Sequence, residues 1–241
     1  LDPSDLANQS ELPFIDSVGV AAANNDWTSV FQAAALTGLV YKLRASTTYI
    51  ITAPIPCTVD GFGLVGPRSA KIYLPAANWT STISASGVSD VTVASVFYAQ
   101  GSLTDKAAPL IGFTLKGFTI ESEVLESRFI IGAHLRNVRD IDISEMEMFG
   151  LTTGKMIQAS TCWGRISRNY LHYAVQDGLG SFSSSPQMTG IEIDNYRVSS
   201  LSSDLIITEN IIRDFGFTGD ALTTWGDQTD GVTLIGKTNP A

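Results

Sequence analysis

From Val40 onward, apolar and polar residues alternate in short runs, the period of a strand with one face buried. Val40–Leu43, Thr48–Ile55, Lys71–Leu74 and Thr80–Ser84 read as such strands, most of them bounded by Gly, Pro, Asn or Ser. Further along, five segments place an alternating strand behind a turn residue. They are Lys116-Gly-Phe-Thr-Ile-Glu, Arg139-Asp-Ile-Asp-Ile-Ser, Trp163-Gly-Arg-Ile-Ser-Arg-Asn, Asp204-Leu-Ile-Ile-Thr-Glu-Asn and Asp230-Gly-Val-Thr-Leu-Ile-Gly. Ile120 to Ile143 is 23 residues, Ile143 to Ile166 is 23, Ile166 to Ile207 is 41 and Ile207 to Leu234 is 27. The 41-residue step is one coil of 23 plus an insertion of 18, within Ser181–Ser203. Short strands repeating at this interval predict an all-β parallel solenoid whose coils stack on one another.

One helix stands ahead of the strands. Asp26 is a suitable N-cap, Trp27–Leu36 supplies the run and Gly38 ends it. Trp27, Val30, Phe31 and Ala34 fall on one helical face, which suits a cap over the open end of a solenoid. Residues 1–14 are polar, carry Pro3 and Pro13 and read as a linker or neck. Residues 15–39 then form the opening with its capping helix, and 40–241 the coils. The chain stops just after a β-run, so the coils are expected to continue beyond it. Asn169 and Asn210 follow equivalent strands and should stack, either as a turn ladder or as sugar ligands.

Composition narrows the function. The net charge of −9 argues against nucleic acid, and no apolar stretch approaches the roughly 20 residues of a membrane span. Two distant cysteines, Cys57 and Cys162, indicate free thiols rather than a disulfide framework. Two histidines, His134 and His172, exclude a His-rich metal site, and neither a metal nor a cofactor is expected.

The opening order carries a resemblance. Phe14-Ile-Asp-Ser-Val-Gly, a helix ending Gln32-Ala-Ala-Ala, Val40-Tyr-Lys-Leu, Thr48-Tyr-Ile-Ile and Gly61-Phe-Gly-Leu-Val-Gly follow one another. This resembles the pectate-lyase-like right-handed parallel β-helix superfamily, and within it the bacteriophage tailspike depolymerases. Ala45-Ser-Thr-Thr48 stands where that family often has Pro-Gly. The paired-aspartate and Gly-His-Gly motifs of polygalacturonases are absent, as is a calcium-binding Asp cluster. The resemblance implies a right-handed β-helix, a homotrimer on the virion tail, and cleavage of a bacterial capsule or O-antigen polysaccharide outside the host cell. A lyase of the same fold and a non-catalytic carbohydrate-binding adhesin are the alternatives.

Aligning the positions after the Asn turn puts Lys155, Asp177 and Asp220 in one predicted column. Two carboxylates one or two coils apart suit a glycosidase, at about 5 Å for retention and roughly 6.5–9.5 Å for inversion. Asp177, Asp220 and Asp227 are therefore the candidate catalytic residues, although Asp177 precedes Gly178 and an Asp-Gly pair is also common turn chemistry. Lys155, His172, Tyr173 and Trp225 are the candidate substrate-binding residues, with core packing the other reading of Trp225. Glu145 and Glu147 alternate with Met146 and Met148 and share an outward face, as a solvated strand or a second acidic pair.

Overall fold

A computed structural model describes residues 11–75, 93–102, 108–123, 129–151, 155–177, 188–194, 204–218 and 229–235. Its helix α1 (Thr28–Ala35) is followed by sixteen strands. These are β1 (Val40–Lys42), β2 (Thr48–Ile50), β3 (Ile55–Cys57), β4 (Gly63–Val65), β5 (Lys71–Leu74), β6 (Val93–Gln100), β7 (Leu110–Lys116) and β8 (Thr119–Ser122). Then come β9 (Phe129–Ser144), β10 (Glu147–Phe149), β11 (Lys155–Ser167), β12 (Tyr170–Asp177), β13 (Met188–Asp194), β14 (Asp204–Thr208), β15 (Ile211–Thr218) and β16 (Thr229–Ile235). Thr80–Ser84 and most of the 181–203 insertion lie outside the described residues. Among the described residues no helix is long and apolar enough to cross a membrane.

Every strand pairing is parallel, and the pairings form three series. β2–β5–β8–β10–β12–β15 make a six-stranded sheet. β1–β4–β7 continue through the second halves of β9 and β11 to β14. β3–β6 continue through the first halves of β9 and β11 to β13 and β16. The last two series form one ten-stranded sheet because β9 and β11 each run through both. They do so by bending. Asn137 and Asp140 in β9, and Thr161 and Gly164 in β11, have φ of 52°, 55°, 55° and 137°. A non-glycine residue there costs about 1–3 kcal/mol. At Asn137 a hydrogen bond from Nδ2 to Ser102 O (2.7 Å) offsets the cost.

The corner into the six-stranded sheet recurs at Gly117, Glu145, Arg168 and Glu209, with φ of 85°, 59°, 55° and 57°. The first three donate their N–H to the next pass of the chain, at Ser144 O, Ser167 O and Thr208 O. One residue on, Asn169 accepts from Met146 N–H (3.0 Å) and donates to Ile143 O (3.0 Å) and Asn210 Oδ1 (2.9 Å). Asn210 in turn donates to Ile166 O (2.9 Å). The two side chains therefore form the turn ladder, with their amides occupied by backbone and by each other.

Register decides the core. Leu64, Leu115, Ile143 and Ile166 stand in one column, all fully buried, with Ile207 next. Ile72, Ile120, Met148 and Leu171 form a second. Phe62 joins Phe97 and Phe113 at centroid distances of 6.5 and 6.4 Å. Burying one such side chain contributes about 1.5–3 kcal/mol. The expected alignment of Ile143, Ile166 and Ile207 holds. Ile120 and Leu234 do not join it: Ile120 faces Met148 in the other sheet, and Leu234 faces Ile193. Lys116 ends β7 and Thr119 starts β8, so that segment straddles a corner rather than forming one strand. Likewise Thr48–Ile55 divides between β2 and β3, in different sheets.

Asp26 lies one residue before the N-cap, Trp27, rather than at it as expected, yet its Oδ1 accepts from Thr28 N–H (2.9 Å) and Thr28 Oγ1 (2.6 Å) in the first turn of α1. Val30, Phe31 and Ala34 are buried, and Tyr49 meets Trp27 and Phe31 edge-on at 5.1 and 5.7 Å. Cys57 and Cys162 are free and buried.

Candidate functional site

In β10 and β12, Met148 and Leu171 point into the core, so their neighbours Glu147, Phe149, Tyr170 and His172 face the other way. Register sets Thr119, Glu147 and Tyr170 in one outward column, and Tyr73, Glu121, Phe149, His172 and Arg213 in the next. His172 stacks on Tyr170 (4.0 Å, 18°) and on Phe149 (5.1 Å, 21°). Its Nε2 lies 3.0 Å from Glu147 Oε1, both side chains being part-exposed. Arg213 Nε donates to the Tyr170 hydroxyl (2.8 Å), with the guanidinium 5.1 Å above that ring. Lys71 is ion-paired with Glu121. Burial, together with the charges of Glu123 and Glu121, pushes the Tyr73 phenol above its ordinary value, so it remains a donor. The strip thus combines flat aromatic rings, two carboxylates and fixed donors, the surface a hydroxyl-rich polymer needs.

The predicted site residues divide. His172 is in this strip and contacts Glu147, which the sequence marked only as half of a second acidic pair. Glu145 does not join it: it sits at the corner and pairs with Arg168 (2.6 Å). Tyr173 is exposed, with φ 50°, at the next corner. Lys155 and Asp177 do not share a column, and Asp220, the third member of the expected column, lies outside the described residues. Lys155 opens β11 in the ten-stranded sheet opposite Thr189, whereas Asp177 ends β12 in the six-stranded sheet opposite Thr218. The bends inside β11 cause this, because one pass of chain crosses two faces before reaching β12. The Asp177 side chain, and Asp220, Trp225 and Asp227 entirely, lie outside the described residues.

Lys155 instead meets Glu192: Nζ lies 2.6 Å from Oε1, which also accepts from Gln158 Nε2 (2.9 Å). Sequence reading passed over Glu192, Tyr170, Phe149 and Glu121. All three of Tyr170, Phe149 and Glu192 alternate with core residues, but the partners of Glu192 come from a strand 34 and 37 residues earlier, a pairing that alternation does not supply.

Comparison with protein-family models, curated proteins and solved structures finds no match for this chain.

Proposed function

We propose that this chain belongs to a right-handed parallel β-helix that binds and cleaves a bacterial surface polysaccharide, as phage tailspike depolymerases do. Support for the coil comes from strands pairing with the second or third strand along, always parallel, with corners recurring at fixed positions. Support for the activity comes from one observation, the outward strip in which Glu147 touches His172 beside the Tyr170 and Phe149 rings.

The polymer lies across the coils with sugar C–H faces against the rings. Glu121 stands one strand away from Glu147 and two residues along it. Strand spacing and rise put their backbones about 8 Å apart. An inverting pair needs its carboxyl groups roughly 6.5–9.5 Å apart to leave room for water, a spacing that two outward side chains on backbones this far apart can reach. In this reading Glu147, beside His172, gives the proton to the leaving oxygen and Glu121 activates the water. Asp177, Asp220 and Asp227 remain the sequence-based candidates for the same chemistry.

The test is incubation with capsule and O-antigen preparations, following reducing ends together with the ultraviolet absorbance of unsaturated uronates. Reducing ends rising alone support hydrolysis, and Glu147→Gln and Glu121→Gln should each lower the rate at least about 100-fold. Rising absorbance means a lyase, and binding without cleavage an adhesin. Cleavage at the original rate in both variants removes the strip from the chemistry.

A further inference from the structure

A second group of charged side chains lies on the other sheet. Ala133, Leu135, Ile157, Ala159, Ile191 and Ile193 face the core. Tyr98, His134, Gln158 and Glu192 stand in one column across four strands, and the last three alternate with those core residues. Arg136 is two residues along from His134, in the column of Gln100 and Ser160. Tyr98 and His134 meet edge-on at 5.1 Å, and Ser95 Oγ is 3.4 Å from His134 Nδ1.

Two of these groups are buried with polar atoms unsatisfied. Arg136 is 3% exposed and its Nη1 has no hydrogen-bond partner. Glu192 is 1% exposed; its Oε1 takes both Lys155 and Gln158, while Oε2 has no partner. Folded proteins rarely leave a buried guanidinium nitrogen and a buried carboxylate oxygen both unsatisfied, because each loses its hydration without replacement. The two also differ in demand. Arg136 calls for an acceptor, best an anion in the fork of its guanidinium, and Glu192 Oε2 calls for an O–H or N–H donor. Two strand spacings and two residues separate them, on the order of 12 Å between backbones, a gap that long side chains narrow. Lys155 and Gln158 are part-exposed, so the group reaches the surface at their position.

The geometry points to a second binding site here, for a sugar residue bearing a carboxylate. Its anion sits on Arg136, and one of its hydroxyls donates to Glu192 Oε2, which Lys155 and Gln158 hold in place. The site is independent of the polymer strip, which lies on the other sheet, so either can fail without the other.

The test titrates the whole chain with glucuronate, glucose and sulfate by calorimetry or by nuclear magnetic resonance. Glucuronate should saturate about tenfold more tightly than either glucose or sulfate, the size of one charge-assisted hydrogen bond. Arg136→Met should lose that binding while its melting temperature stays level or rises, since a buried guanidinium nitrogen without a hydrogen bond has been removed. Glu192→Gln should weaken glucuronate binding and leave sulfate unchanged. Equal binding of sulfate and glucuronate would reduce the site to simple anion capture and overturn the proposal. So would the lack of saturable glucuronate binding, or a lower melting temperature for Arg136→Met, which would give Arg136 a structural partner.

Discussion

Replacing Asn169 with Ala tests the corner ladder directly. The side chain is 1% exposed and makes three hydrogen bonds, with Met146 N–H, Ile143 O and Asn210 Oδ1. Met146 is itself fully buried, so its N–H is left without an acceptor, at about 1–3 kcal/mol. The other two bonds are worth roughly 0.5–1.5 kcal/mol each, partly returned by the freedom an Asn side chain no longer loses. The total is about 3 kcal/mol. Asn210 is only half-buried, so water replaces its bonds and Asn210→Ala should cost about 1 kcal/mol. The double variant should fall short of the sum by about 1 kcal/mol, because the two residues share the 2.9 Å bond. Urea denaturation followed by circular dichroism reads all three values. If Asn169→Ala lies within 0.5 kcal/mol of the parent (about the noise of a surface change), or costs no more than Asn210→Ala, the ladder does not hold the corner.

Three further outcomes follow from the geometry. Gly150 has φ of 72°, and a Cβ there would lie 2.1 Å from Ser122 O, so Gly150→Ala should cost at least about 2 kcal/mol in the same assay; unchanged stability would contradict the placement of that turn. Burial pushes the Asp26 carboxyl up, but bonds from the Thr28 hydroxyl, the Thr28 N–H and the Thr52 hydroxyl outweigh it and leave its value lowered. A lowered value stabilises above the unfolded carboxylate range and is lost as pH falls through the folded one. Asp26→Asn should therefore cost about 1 kcal/mol at neutral pH, with the gap closing below about pH 4; a gap constant with pH would contradict this. Burial pushes the Cys57 thiol up and that of Cys162 up to about 12, so neither should react with a disulfide reagent near pH 8 until the chain is unfolded; prompt labelling of the native protein would place a thiol at the surface.

What the sequence revealed was what one strand can carry by itself. Alternation at Ile141–Ile143, Ile166 and Ile207 identified strands of one series, and the Asn that follows two of them identified the corner. The helix was readable because its cap, its apolar face and Gly38 are local. Register across strands was less readable. Leu115 and Ile120 are both apolar and flank one corner, so the spacing alone could not choose which of them faces Ile143. The bends inside β9 and β11 occur at Asn, Asp, Thr and Gly, residues equally at home in ordinary turns, and they concealed that one strand serves two faces. Lys155 and Asp177 were aligned for that reason. His172 was visible as a candidate, but the Glu147 it touches lies 25 residues away, a pairing that only register supplies.

The pairing of each strand with its counterpart in the next pass of the chain also governs what can change without harm. Among the described residues no pairing skips a pass of the chain, so each pass depends on the one before and the one after. Gain or loss of a whole pass would preserve every column and alter only its length, by about 4.8 Å. A surface built this way acquires reach for a longer ligand in fixed increments. Chain length added between strands, as in the 41 residues from Ile166 to Ile207, leaves the pairing of those two residues intact.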